Sequence, residues 1–303
     1  MGEASARAAL IPGRTGTHRI MNFSEHSLWL VGLWVVGLGL GVAVLMGLLW
    51  LRLRRIRLQV EARYLSAVAE FDPQTPKLAV LFARIHGESI RRLLRGLVGP
   101  GVSPGPASWR SQGRLRYDSD DRERVATAET YCIPGLWWAQ VRRVRLRVLG
   151  WIDEIHQVEA GQVTSGYWWL GLYRIAPPGF GPSPLALEAQ ALGEGVLAPW
   201  GWFLDGVIAW DGSLEASEVR GRVAATGHEV QLRLDPAGRP ATLDLLDSSS
   251  HERVRVEYFG WRWLDRTLLP ERLRLIENAG SVNEFVRLEM GLAPPVRAPA
   301  PDP

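Results

Sequence analysis

The side chains with the chemistry for catalysis or metal binding are few, and their spacing argues against both. The six histidines (His18, His26, His86, His156, His228, His251) are scattered. No HExxH or CxxC string occurs, so neither common zinc spacing is present. Asp153, Glu154 and His156 resemble part of an acid–base set. In a strand, however, successive side chains point to opposite faces, which separates Asp153 from Glu154. Gly101 to Gly105 reads GVSPG and matches a GxSxG string around Ser103. A nucleophile elbow needs a strand before the serine and a helix after it. Ser103 follows a helical pattern and sits among glycine and proline. Asp118, Asp120 and Asp121 have the charge for calcium but lack the spacing and late glutamate of an EF-hand, and they read as a solvated hairpin turn. No phosphate-binding loop is present, because the GLGLG run (Gly37 to Gly41) lies inside an apolar segment. These patterns predict a protein that is not an enzyme and carries no cofactor or metal.

The element that must position everything else is that apolar segment. Leu28 to Leu51 are 24 consecutive residues without a formal charge. As a helix they span about 36 Å at ~1.5 Å per residue. That exceeds the hydrocarbon core of a bilayer, about 30 Å. Trp29 and Trp50 stand near the two rims, where amphipathic rings anchor at headgroups. A cleavable signal is the rival reading, but its apolar stretch is shorter, about 7–15 residues, and ends at small residues. Cys132 is the only cysteine, so no lipoprotein cysteine ends the segment and no internal disulfide forms. The expectation is a single-pass span of the cytoplasmic membrane with the bilayer as partner, whether translation starts at Met1 or Met21.

Arg52, Arg54, Arg55, Arg57 and Arg63 follow the span, whereas only Arg14 and Arg19 precede it closely. The positive-inside rule then keeps the C-terminal part in the cytoplasm. Gly39, Ala43 and Gly47 recur every four residues, a spacing that lets two helices approach and predicts a homodimer through these positions. The net charge is +3 and Lys77 is the only lysine. The arginines form no clustered stripe with interleaved aromatics, so nucleic acid is not an expected partner.

The chain divides into an unstructured N-terminus (1–27), the span (28–51), a helical stalk (52–98), a linker (99–107), a β-domain (108–290) and a disordered tail (291–303). In the stalk, Leu53, Ile56, Val60, Tyr64, Ala67 and Phe71 recur at helical spacing. Asp72-Pro73 breaks this helix, and Thr75-Pro76 starts a second one carrying Leu78, Phe82 and Ile85. From Trp109 the period changes to two. Arg143, Arg145 and Arg147 alternate with Val144, Leu146 and Val148; Arg253, Arg255 and Glu257 alternate with Val254, Val256 and Tyr258. Strict alternation means strands with one dry and one wet face. Turn signals such as Asp235-Pro236-Ala237-Gly238 punctuate them. The fold class is mainly β (α+β): a curved antiparallel sheet or half-barrel of about eleven strands. One segment interrupts it. Ser183-Pro184 starts a helix with Leu185, Ala189, Leu192 and Val196 on one side, which Pro199 ends. Such a helix covers or plugs the dry concave face.

The phrases ESIRRLLRGLVGPG, ALGEGVLAPWGWFLDGVIAW and EVRGRVAATGHEVQLRLDPAGRPATLDL carry a resemblance over residues 86–290. Their order resembles an uncharacterised bacterial family of membrane-anchored proteins with an arginine- and tryptophan-rich β-domain. The core of that family is similar to the half-barrel of the lipoprotein carriers LolA and LolB and of the lipid-binding lipoprotein LppX. The resemblance implies a concave face able to hold a lipid or acyl chain, and an extracytoplasmic location that conflicts with the arginine asymmetry. Trp138, Trp151, Trp168, Leu185, Leu192 and Trp202 are the candidates to line such a hydrophobic cavity. The alternative function is a structural or protein-interaction module of the cell envelope, its concave face filled by its own helix.

Overall fold

The structure is a computed structural model. It describes residues 25–70, 93, 95–97, 105–117, 120–146, 150–170, 173–175, 181–203, 206–211, 217–264, 267–277 and 281–291. The second stalk helix from residue 76 onward, the Ser103 string and the C-terminal tail fall wholly or largely outside these residues. The chain divides into two compact units, Met1–Gly47 and Leu48–Pro303.

Helix α1 (Glu25–Glu70) runs without interruption through 46 residues, from the apolar segment into the stalk. It is the one helix among the described residues long and apolar enough to cross a membrane, by length and composition. Its apolar window is not buried by protein. A Cβ built at Gly39 or Gly47 meets nothing within 4 Å, so both glycines face open space.

The second unit is built on one antiparallel sheet. Its strands are β1 (Ala107–Tyr117), β2 (Asp120–Ile133), β3 (Trp137–Leu146), β4 (Gly150–Glu159), β5 (Gln162–Trp169), β6 (Tyr173–Ile175), β7 (Ile208–Trp210), β8 (Glu218–Val223), β9 (Glu229–Leu234), β10 (Pro240–Asp247), β11 (Glu252–Leu264), β12 (Thr267–Glu277) and β13 (Ser281–Gly291). The 13 strands lie in the order β6-β5-β4-β3-β2-β1-β13-β12-β11-β10-β9-β8-β7. Among the described residues thirteen strands, against the expected eleven or so, form the sheet; the short pieces β6 and β7, each 3 residues, carry too little pattern to be seen in sequence. The chain enters at mid-sheet, builds one arm out to the edge strand β6, crosses over, and builds the second arm back from the edge strand β7 to β13. The pairing of β1 with β13 joins the arms. The edges do not pair, so the sheet is open.

The crossover carries helix α2 (Pro184–Glu194), followed by 3-10 turns at Gly195–Leu197 and Pro199–Phe203. Ser183 caps α2: its Oγ accepts from the backbone N–H of Ala186 at 3.1 Å, and Pro184 sits in the first turn, where its missing N–H costs nothing. α2 packs on β10, β11, β12, β4 and β5, that is, on both arms. The main core lies here. Leu185, Ala189 and Val196 meet Val230, Leu232, Leu243, Leu245, Val254 and Val256 from the second arm. The expected covering helix is therefore present on the concave face.

The convex face of the first arm is covered as well. Leu53, Val60 and Tyr64 of α1 pack on Trp137, Ala139, Val141, Ile155 and Trp168. Arg63 fastens the contact, bonding Glu159 and lying 5.0 Å over the ring of Trp137. The same 3–4 spacing that predicts a stalk helix is thus the seam by which α1 docks on the sheet.

Twist closes the architecture. By strand register the β4–β5 turn and the β8–β9 turn lie at opposite ends of the sheet. Adjacent strands rotate by roughly 20–25°, so the eight steps from β4 to β9 accumulate to about 180°. The two turns meet. A Cβ on Gly161 would lie 2.7 Å from the side chain of Thr226 and 2.9 Å from that of Ala225. The two-residue turn Ala160–Gly161 has φ of 47° and 77°, a backbone suited to glycine and matched to strand twist.

Candidate functional site

The concave face of the first arm divides into a polar half and an apolar half, and strand alternation assigns the residues. On β3, Trp138, Gln140 and Arg142 point toward α2; on β4, Glu154, His156 and Val158 stand opposite Arg142, Gln140 and Trp138. Gln140, Arg142, Glu154 and His156 are each 0 % exposed.

The polar half is a closed network. Arg142 donates to Gln140 Oε1 at 2.6 and 3.0 Å, to Glu154 Oε2 at 3.2 Å and to Gln190 Oε1 of α2 at 3.1 Å. Glu194 at the end of α2 accepts from Trp138 Nε1 at 3.0 Å, Gln140 Nε2 at 3.1 Å and Gln190 Nε2 at 2.8 Å. His156 bonds Glu154 Oε2 at 3.2 Å and Ser165 Oγ at 3.0 Å. Buried polar groups are costly unless paired, and here the partners lie on α2 as much as on the sheet. The network therefore fixes how α2 sits against the first arm. Burial pushes the Glu194 carboxyl above its ordinary range, opposed by the donors from Gln190 and Trp138 and by the charge of Arg142. Burial likewise lowers the basicity of His156, with its bond to Glu154 acting against the shift. Asp153 points the other way, bonded by Arg143 and Trp151 on the convex side. The strand period thus keeps the acids of the DEIH string apart. Among the described residues no group of His, Cys, Asp and Glu is arranged to hold a metal ion.

The apolar half is a cavity of about 120 Å³. Its rim is made by the β2–β3 turn (Pro134, Gly135, Leu136), the β4–β5 turn (Ala160, Gly161) and Ala225; Ala191, Leu192, Ala198 and Trp202 of the crossover lie against it. Leu136 at the rim is 69 % exposed, an apolar side chain presented to solvent at the mouth. Among the described residues Glu188 is the one charged group in the wall. Its oxygens are held by Thr226 Oγ1 and His228 Nδ1, each at 2.8 Å. Cys132 also lines the cavity, and burial pushes its thiol up to about 12, which leaves it protonated and slow to react at neutral pH.

Three of the six residues selected from sequence, Trp138, Leu192 and Trp202, meet in this cavity wall. Trp202 is held in place by donating from Nε1 to the Leu192 carbonyl at 2.7 Å. Leu185 packs in the same concave core without reaching the cavity. Trp151 and Trp168 stand on the opposite side of the sheet. Trp168 pairs with Asp153 across β4–β5 and packs in the cluster under α1, while Trp151 is 37 % exposed and carries Arg143 at 5.1 Å over its ring. Strand parity is the reason: odd numbers face outward on β4, and Trp168 on β5 shares the face of its partner Asp153. Sequence reading missed the Arg142–Glu154–Gln190–Glu194 network. The available signal was Gln140-x-Arg142 and Glu154-x-His156, polar pairs on the face where alternation calls for apolar residues.

No family model matches this sequence, and no curated protein matches it. Among solved structures, the chain is similar to a LolA-superfamily protein from Nitrosomonas europaea at 13 % identity, covering 68 % of this chain and 93 % of that one, with a TM-score of 0.42. It is also similar to a DUF1329 family protein from Desulfovibrio piger at 9 % identity, covering 73 % of this chain and 93 % of that one, with a TM-score of 0.42.

Proposed function

We propose that the protein is a membrane-tethered binding module. In this reading α1 crosses the bilayer once, and the concave cavity under α2 takes the apolar end of a lipid or acyl chain. The observation that carries it is the cavity itself: an apolar hollow with an exposed leucine at its mouth, walled by both arms of the sheet and by α2. By arginine asymmetry the β-domain faces the cytoplasm. Alkaline phosphatase fused after Met290 tests the side, since strong phosphatase activity means export.

The size of the cavity supports a second reading. At about 120 Å³ it is smaller than the ~300–1,000 Å³ of ordinary ligand sites. If that hollow never enlarges, the concave face is simply filled by the protein's own helix, and the domain is a structural or interaction module. A carrier requires α2 and the neighbouring turns to move, whereas a structural module does not.

Native mass spectrometry of the detergent-purified protein separates the two. The binding module carries co-purifying lipid. Cys132, the single cysteine, then supplies a reporter: its slow labelling by a small apolar thiol reagent falls when a fatty acid is added. Hydrogen exchange gives an independent reading. A mobile α2 exchanges faster than the strands and is protected by lipid. Absence of bound lipid, with equal protection of helix and strands, overturns the binding reading.

A further inference from the structure

Helix α1 is apolar on two opposite sides from the end of the apolar run onward. One side, Leu53, Val60 and Tyr64, is 3–4 % exposed and sealed against the sheet. On the other, Leu51, Leu58 and Leu65 are 53, 51 and 50 % exposed. At about 100° per residue these three fall within a narrow stripe, about half a turn away from the docked face. The docked face already binds α1 to its own domain, so the leucine stripe contributes nothing to that contact.

The spacing says what kind of surface fits it. Seven residues is the repeat of two helices that wind around one another, with leucine favoured at one of the two core positions of a parallel pair. The positions four residues after each leucine are Arg55, Ala62 and Ala69. Alanine there lets a second helix come close. A lipid surface does not fit the stripe. Leu65 lies 14 residues beyond Leu51, about 21 Å along the axis, while the headgroup region beyond the hydrocarbon is only about 5–8 Å deep. A membrane span forces any second copy to lie parallel and at the same height, which is the arrangement a seven-residue seam requires. Tethering also raises the effective concentration of the second helix, so a short seam suffices.

We propose that Leu51, Leu58 and Leu65 form a parallel helix–helix seam between two copies of this chain, starting at the bilayer edge with Leu51 and running outward. This rests on reading α1 as a membrane span. It concerns different residues from the Gly39, Ala43 and Gly47 row, which runs into the seam at Gly47 and Leu51.

Cysteine crosslinking of the full chain in native membranes tests it. Cys132 is buried and supplies the background. Single variants Leu58→Cys and Leu65→Cys are compared with Arg52→Cys and Gln59→Cys, which lie about a quarter turn from the stripe. The expected result is disulfide dimer several-fold above background at Leu58 and Leu65 and background levels at Arg52 and Gln59. Introducing Leu65→Arg into the Leu58→Cys protein removes the crosslink. Equal crosslinking at all four positions signals random collision and overturns the seam. So does a Leu58→Cys protein that neither crosslinks nor labels with an aqueous maleimide, because its own chain then covers the stripe. Alkaline extraction run in parallel keeps the two ideas apart: protein released from the membrane defeats the span, while membrane-embedded protein without crosslinks defeats the seam alone.

Discussion

The two arms of the sheet share one sequence pattern and live in different environments. In the second arm, alternation means what it says. Val254 and Val256 point into the concave core, while Arg253 and Arg255 lie on the convex side and close over Asp244 at 2.6 and 2.7 Å. In the first arm, both faces of β3 and β4 are covered along part of their length. α1 seals Val141 and Ile155 on the convex side, and α2 closes over Arg142, Glu154 and His156 on the concave side. An arginine in a strand is thus a half-exposed residue closing over one carboxylate in one arm and the centre of a fully buried network in the other. Partners on other elements, rather than strand period, make the difference.

The largest test of this contrast is Arg142→Met. It removes the guanidinium that buried Glu154, Gln140 and Gln190 share, and breaking a fully buried pair costs about 3–5 kcal/mol. Urea unfolding measures the loss. A cost as small as that of a surface arginine would erase the distinction between the arms.

Next is the convex face. Ile155→Ala removes a side chain that α1 buries, and should cost about 2–5 kcal/mol. Gln231→Ala, also outward-facing but in the second arm, loses only its bond to the Glu218 carboxylate and should cost about 0.5–1.5 kcal/mol. Equal effects at the two sites would mean that α1 does not dock on the first arm.

A pH series sharpens the contrast further. Burial holds the basicity of His156 below its ordinary value of about 6.5. Below that value the unfolded chain binds a proton that the folded one refuses, so stability falls as pH drops from about 6.5 toward the folded value. Glu194 acts in the opposite sense. Its raised folded value gives a contribution fully present below about 4.5 and lost as pH rises through the folded value. Glu194→Gln removes the second titration and isolates the histidine. In that background, His156→Asn should flatten the loss between pH about 6.5 and the folded value. An unchanged slope would mean that the network admits water and is not closed.

The smallest effect belongs to the exposed pair Arg222–Glu229 of the second arm, at 3.5 Å with side chains 68 and 50 % exposed. A double-mutant cycle there should give about 0–1 kcal/mol, shrinking in salt. A coupling near that of Arg142–Glu154 would show that the convex face of the second arm is drier than its exposure indicates.

Much of this architecture is legible along the chain, because it follows from local rules. Twenty-four uncharged residues suffice for a bilayer-length helix. Period-two alternation and turns such as Asp235–Gly238, where Asp235 Oδ1 accepts from the N–H groups of Ala237 and Arg239, mark strands and their ends. The Ser183-Pro184 start of α2 is a local cap. Trp138, Leu192 and Trp202 could be grouped because each sits on an element that faces the concave side.

What the sequence determined, then, is the set of elements and the two faces of each strand. Tertiary structure alone decided what covers those faces. Nothing in residues 137–169 announces that Leu53, Val60 and Tyr64, far earlier in the chain, will turn Trp168 into core on the convex side. Nothing in Arg142 announces that Gln190 will supply its partner from a helix 48 residues later. Nor does any local signal bring Gly161 against Thr226, because that contact exists only after twist has accumulated across the strands between them. Alternation is a property of neighbouring residues, whereas burial is a property of distant ones, and the environment of a side chain is set by the second.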